Sequence, residues 1–106
     1  MKIPKTLKIG GHIWTIEFPY IFTERLDRKG DSDATVKRMR ISGEASNEPL
    51  SASAIVVVFI HEIIHAIDRQ TGHNIYNTER DEVITEILSE GLYQVLVDNF
   101  KELELK

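Results

Sequence analysis

His61-Glu62-Ile63-Ile64-His65 lies inside the apolar run from Ile55 to Ile67, and the reading of these residues decides the rest of the chain. An apolar stretch of this length is expected to form a buried helix. Residues four apart share a helix face, so His61 and His65 can both reach one metal ion while Glu62 points beside the remaining coordination position. Two imidazoles next to a carboxylate make the arrangement of a hydrolytic zinc site. The competing reading makes His61 and His65 hydrogen-bonded core histidines and Glu62 an exposed residue on the wet side of the helix. That reading buries ionisable groups in the most hydrophobic part of the chain, at a cost of several kcal/mol unless they are paired or coordinated.

Outward from the motif, Ser51 or Ser53 can cap the helix, and Gly72 stands where it should stop. A turn over His73 to Asn77 leads to Thr78-Glu79-Arg80-Asp81, a capping-box-like start for a second helix. There Ile84, Ile87, Leu88, Gly91, Leu92, Val95 and Leu96 recur at helical spacing and are expected to form the core face, with Gly91 allowing close approach to the first helix. Lys101 to Lys106 reads as a frayed tail. The first forty residues read as β. Leu7 to Ile9 and Ile13 to Phe18 flank Gly10-Gly11, a tight-hairpin signal, and Pro19 ends the second strand. Ile21 to Leu26 predicts a short strand, Asp27 to Asp33 a loop around Gly30, Val36 to Ile41 an edge strand, and Ser42 to Pro49 a loop. The expectation is an α+β fold: a small sheet of three or four mostly antiparallel strands packed on two C-terminal helices, in one domain over 1–106.

The net charge of −4 argues against nucleic acid or an anionic membrane as main partner, with Lys37, Arg38 and Arg40 the local exception. The chain has no cysteine, so any metal must be held by nitrogen and oxygen. The N-terminal residues Met1 to Thr6 lack an apolar core and a cleavage site, so no secretory signal is expected. The longest apolar stretch, Ala54 to Ile60, is far short of the roughly 20 residues needed to span a bilayer. These features predict a soluble intracellular protein.

The helical half resembles the short phage- and prophage-encoded metallopeptidases related to the ImmA/IrrE group. The likeness runs over His61 to Asp68, Glu82 to Glu86, and Leu88-Ser89-Glu90-Gly91-Leu92-Tyr93-Gln94-Val95-Leu96, ending in Asp98-Asn99. In the N-terminal half it rests on the Gly-Gly hairpin and the Asp31 to Ile41 segment. The resemblance implies a minimal zincin-like fold of the HExxH gluzincin type and a Zn2+-dependent endopeptidase. It also implies a protein or peptide substrate and a place in the bacterial cytoplasm, that of the host if the chain is phage-encoded.

A catalytic zinc takes three protein ligands and leaves one position open. The metzincin extension is excluded, because Asp68 and Thr71 stand where its Gly and third His would be. The gluzincin pattern takes a Glu from the next helix and, four residues on, an acid that hydrogen-bonds a ligand His from behind. Glu82, Glu86 and Glu90 share one helix face and offer two such pairs. Similarity to the phage proteins favours Glu82 as ligand with Glu86 behind it; Glu86 as ligand with Glu90 behind it is the alternative. A solvated acidic face is what such runs otherwise form. His73 is a further candidate for the third ligand. Asp68, one turn beyond His65, can accept from an imidazole N–H or stand exposed near the helix end.

With zinc acidifying water, Glu62 is expected to act as general base and to return the proton to the leaving amine. Tyr76, His73 and Arg80 are candidates to support the oxyanion, and a substrate strand can pair with the Val36 to Ile41 edge. Two other classes compete. One is a binding or regulatory protein in which the metal only braces two helices, a role with no use for Glu62. The other is a SprT-like protease of DNA-bound proteins, which would contact DNA through Lys37, Arg38 and Arg40.

Overall fold

The computed structural model describes residues 3–70, 75 and 78–99. Strands β1 (Thr6–Ile9) and β2 (His12–Glu17) form an antiparallel hairpin in which Ile9 faces His12. The two intervening residues, Gly10 and Gly11, have φ of 56° and 85°. A two-residue turn with positive φ at both positions matches the twist of the strands and costs glycine least. The Gln70 amide ties this hairpin to the helical half: Nε2 donates to the Ile9 carbonyl and Oε1 accepts from Trp14 Nε1, each at 2.7 Å.

The sheet has four strands in the order β1-β2-β4-β3, with β3 at Gly30–Asp33 and β4 at Arg38–Ile41. The pairs β1/β2 and β3/β4 are antiparallel and β2/β4 is parallel. Three sequence expectations are corrected here. The Asp27 to Asp33 segment is not all loop, since its last four residues are the edge strand. Conversely, the strand expected over Val36 to Ile41 begins only at Arg38 and lies between β2 and β3, while Val36 and Lys37 are in the turn, Lys37 with φ of 56°. Finally, Ile21 to Leu26 forms no strand; Phe22 is buried against the edge of Tyr20, and Ile21 and Leu26 remain exposed. Gly, Asp and Ser are poor strand formers, so β3 is set by its cross-strand partners rather than by propensity. Arg40 holds Asp31 through one guanidinium edge, Nε and Nη2 donating to the two carboxylate oxygens, and Ser32 turns inward beneath the first helix. Within the expected 42–49 loop, a short hairpin forms from β5 (Glu44–Ala45) and β6 (Glu48–Pro49).

Helix α1 spans Ala52–Gln70, and Ser51 caps it, its Oγ accepting from the Ala54 amide at 3.2 Å. Helix α2 spans Glu79–Asn99; Thr78 Oγ1 accepts from the Asp81 amide at 3.2 Å and donates to the Asp81 carboxylate at 2.7 Å. The expected stop at Gly72 and the frayed tail from Lys101 lie outside the described residues. Helix α1 lies against β3 and β4, and Phe59 and Ala66 join Trp14, Ile16, Met39 and Ile41 in the core. No helix among the described residues is long and apolar enough to cross a membrane.

The second helix turns differently from expectation. Its buried residues are Thr85 and Ser89, while Ile84, Ile87, Leu88, Leu92 and Val95 are 37 to 66% exposed. Among the described residues a Cβ added at Gly91 would meet nothing within 4 Å, so α1 makes no close crossing there. The face turned to α1 instead carries Glu82, Thr85 and Ser89, with the Thr85 and Ser89 hydroxyls donating to carbonyls one turn back, at 2.8 and 2.7 Å.

Candidate metal centre

One helix supplies three of the candidate groups. His61, Glu62 and His65 are all buried, at 6, 5 and 3% exposure. The second helix brings Glu82 to both imidazoles: its carboxylate contacts His61 Nε2, and one oxygen lies 3.1 Å from His65 Nε2. One ligand atom from each of His61, His65 and Glu82 falls within 4.8 Å of the others, which is the spacing a single ion needs.

The chemistry of the donors fits a divalent cation. Burial holds the His65 pKa below the ordinary imidazole value, against the pull of Glu82, and so favours the neutral ring that offers a lone pair. Nδ1 of His65 is buried with no hydrogen-bond partner among the described residues. Glu86 Oε1 lies 2.7 Å from His61 Nδ1, close enough for an ion pair, yet off the hydrogen-bonding direction, so that nitrogen too lacks a proper bond. Of the two acidic pairs offered by the sequence, Glu82 and Glu86 are the ones that meet the histidines. Glu90 is exposed and outside the cluster.

Glu62 sits beside the triad and is engaged from the sheet. Ser32 Oγ donates to its Oε1 at 3.1 Å. Burial pushes the Glu62 carboxyl up to about 8, with the Ser32 bond and the Arg69 charge acting in the opposite direction. Arg69 Nη1 in turn donates to the Ser32 carbonyl at 2.7 Å and to its hydroxyl at 3.2 Å. Gly30 completes the fit, because a Cβ there would stand 3.0 Å from Glu62 Cγ and 3.1 Å from Val58 Cγ1. Gly30, Ser32 and Arg69 had no signal in the sequence. Their roles depend on β3 lying beside α1, and the sequence of β3 reads as loop.

Asp68 is buried near the end of α1, and its Oδ1 accepts from the Ile75 amide at 2.8 Å. Arg80 is exposed on the first turn of α2. His73 and Tyr76 lie outside the described residues. The triad stands between two cavities that share Gly30, Glu62 and Glu82. One, of about 870 Å³, reaches His65, Ser32 and Arg69; the other, of about 240 Å³, reaches His61 and Glu86. The chain matches no protein-family model, no curated protein and no solved structure.

Proposed function

We propose that this chain is a zinc-dependent endopeptidase in which His61, His65 and Glu82 hold the metal and Glu62 is the general base. The observation that carries this reading is the convergence of His61, His65 and Glu82 on one point, with a buried carboxylate alongside. A metal that only braced two helices would have no use for Glu62, and burying a carboxyl is costly even with one hydroxyl donor beside it. Zinc bound there supplies Lewis acidity, polarising a scissile carbonyl and letting water ionise near neutral pH rather than at about 15.7.

The chain's own groups do the rest. Ser32 Oγ engages Glu62 Oε1 and fixes the carboxyl's rotation, so that Oε2 takes the proton from water and returns it to the leaving amine. Glu86 beside His61 Nδ1 restrains that ring. Since β3 is an edge of the sheet and lines the larger cavity, a substrate chain lies along β3 rather than along β4.

Metal analysis of protein purified without chelator tests the reading directly. About one zinc per chain is expected, with loss of the metal in His61→Ala. Glu62→Gln should keep the metal and lose cleavage of an unfolded protein substrate. A native protein that takes up no metal would sink the reading.

A further inference from the structure

The chain carries −4 net charge and six arginines, and five of the six line the larger cavity beside Glu62, His65 and Glu82. The strand register shows how they are disposed. Asp31 faces Arg40 and Asp33 faces Arg38, while Ser32 faces Met39, which is fully buried. Directly opposed residues share a sheet face, so Arg38 and Arg40 lie on the face away from α1, and the cavity wraps round the β3 edge from one face to the other.

Three of the five arginines already have partners. Arg40 is bound to Asp31, Arg69 to Ser32, and Arg25 to Asp27 at 3.4 Å. The guanidinium groups of Arg28 and Arg38 have no hydrogen bond or ion pair among the described residues, and Arg38 Nε is buried without a partner. Across the ladder from Arg38, the Asp33 carboxylate accepts from the Thr35 amide instead. A buried donor without a partner costs free energy that a bound acceptor would recover. Guanidinium groups in this setting match carboxylates in geometry as well as charge.

We propose that Arg38, beside the Asp33 end of β3, and Arg28, just before its Gly30 end, form a carboxylate-selecting subsite along the strand, which favours peptides carrying a carboxylate close to the bond held over Glu62. The peptide nature of the ligand rests on the peptidase reading above. A chain lying along β3 turns alternate side chains to the two faces, so one toward the metal-binding groups is flanked by one toward Arg38. The carboxylate is that of an Asp or Glu side chain or of a free C-terminus.

The test uses the full chain loaded with zinc and three fluorophore-labelled peptide pools of equal length. One has Glu at alternate positions with an amidated C-terminus, one has Gln there with an amidated C-terminus, and one has Gln there with a free C-terminus. Binding is read by anisotropy and cleavage by mass spectrometry. The Glu pool or the free-carboxylate pool should bind at least about 10-fold tighter than the amidated Gln pool, the size of one charge-assisted hydrogen bond. Whichever of the two binds names the source of the carboxylate. Arg38→Gln should cut that ratio severalfold, and so should Arg28→Gln, a loop position that keeps the test open if the strand variant misfolds. Equal binding of all three pools overturns the subsite. So does tighter binding of a single-stranded oligonucleotide at the same salt, which would make the arginines a phosphate contact. A charge preference without any cleavage keeps the subsite and removes the peptidase; cleavage without a charge preference does the reverse.

Discussion

At the scale of single residues, the two acids of α2 have separable duties. Glu82 contacts both imidazoles, whereas Glu86 reaches only the far nitrogen of His61. Glu82→Ala should therefore abolish zinc uptake, while Glu86→Ala should weaken it only about 10- to 100-fold. A competition titration against a chelator of known affinity distinguishes them, and the reverse order would reassign the ligand to Glu86. Gly30 presents a steric case. Its missing Cβ leaves room for Glu62 Cγ and Val58, and Arg40's carbonyl would stand at 3.2 Å. Gly30→Ala must push α1 away from β3, so a loss of about 1–3 kcal/mol in stability is expected, as for other overpacked sites. Cleavage should fall further than stability, because Ser32 and Glu62 move apart. Chemical denaturation beside a rate measurement shows whether the two losses separate.

At the scale of elements, helices were legible and their facing was not. Ser51 and Thr78 begin their helices as the capping signals indicate. The spacing of Ile84, Leu88, Leu92 and Val95 identified a helix, but apolar periodicity does not say which stripe packs inward when a polar site competes for the same face. Here the line Glu82, Thr85, Ser89 faces α1, because turning the aliphatic stripe inward would carry Glu82 away from His61 and His65. Strand β3 was hidden for a related reason. Gly30, Asp31, Ser32 and Asp33 have little strand propensity of their own, and the partners of Ser32, Glu62 and Arg69, are distant in sequence. The His61-Glu62-x-x-His65 segment was legible because its ligands are set by helix geometry alone. The corrected facing of α2 makes Gly91 an ordinary exposed helix interior position. Gly91→Ala should then stabilise the protein by about 0.5–1 kcal/mol, since no neighbour opposes the new methyl group. A lowered melting temperature would mean that a close contact exists at Gly91 after all.

At the scale of the whole molecule, the two halves are joined in unequal ways. The sheet and α1 share a core of large apolar residues, Trp14, Met39, Ile41 and Phe59 among them, and Gln70 pins the hairpin to the end of α1. By contrast α2 buries only two small hydroxyl residues against the rest, while six of its large aliphatic side chains stay substantially exposed. Burial of apolar area is the main source of docking energy, at roughly 25 cal/mol per Å², so α2 has little of it. What ties it to α1 is the contact of Glu82 and Glu86 with the two histidines. An ion held by His61, His65 and Glu82 would bridge the helices directly, and binding to the folded form at 100 times its dissociation constant adds about 2.7 kcal/mol. That gain should fall mostly on α2, the element that opens at least cost. Amide hydrogen exchange followed with and without zinc is therefore expected to slow over 79–99 and change little over β2 and β4. The same comparison in Glu82→Ala should show no zinc effect. Uniform slowing across the sheet and both helices would instead mean that α2 and the core already open together, and that the metal stabilises one cooperative unit.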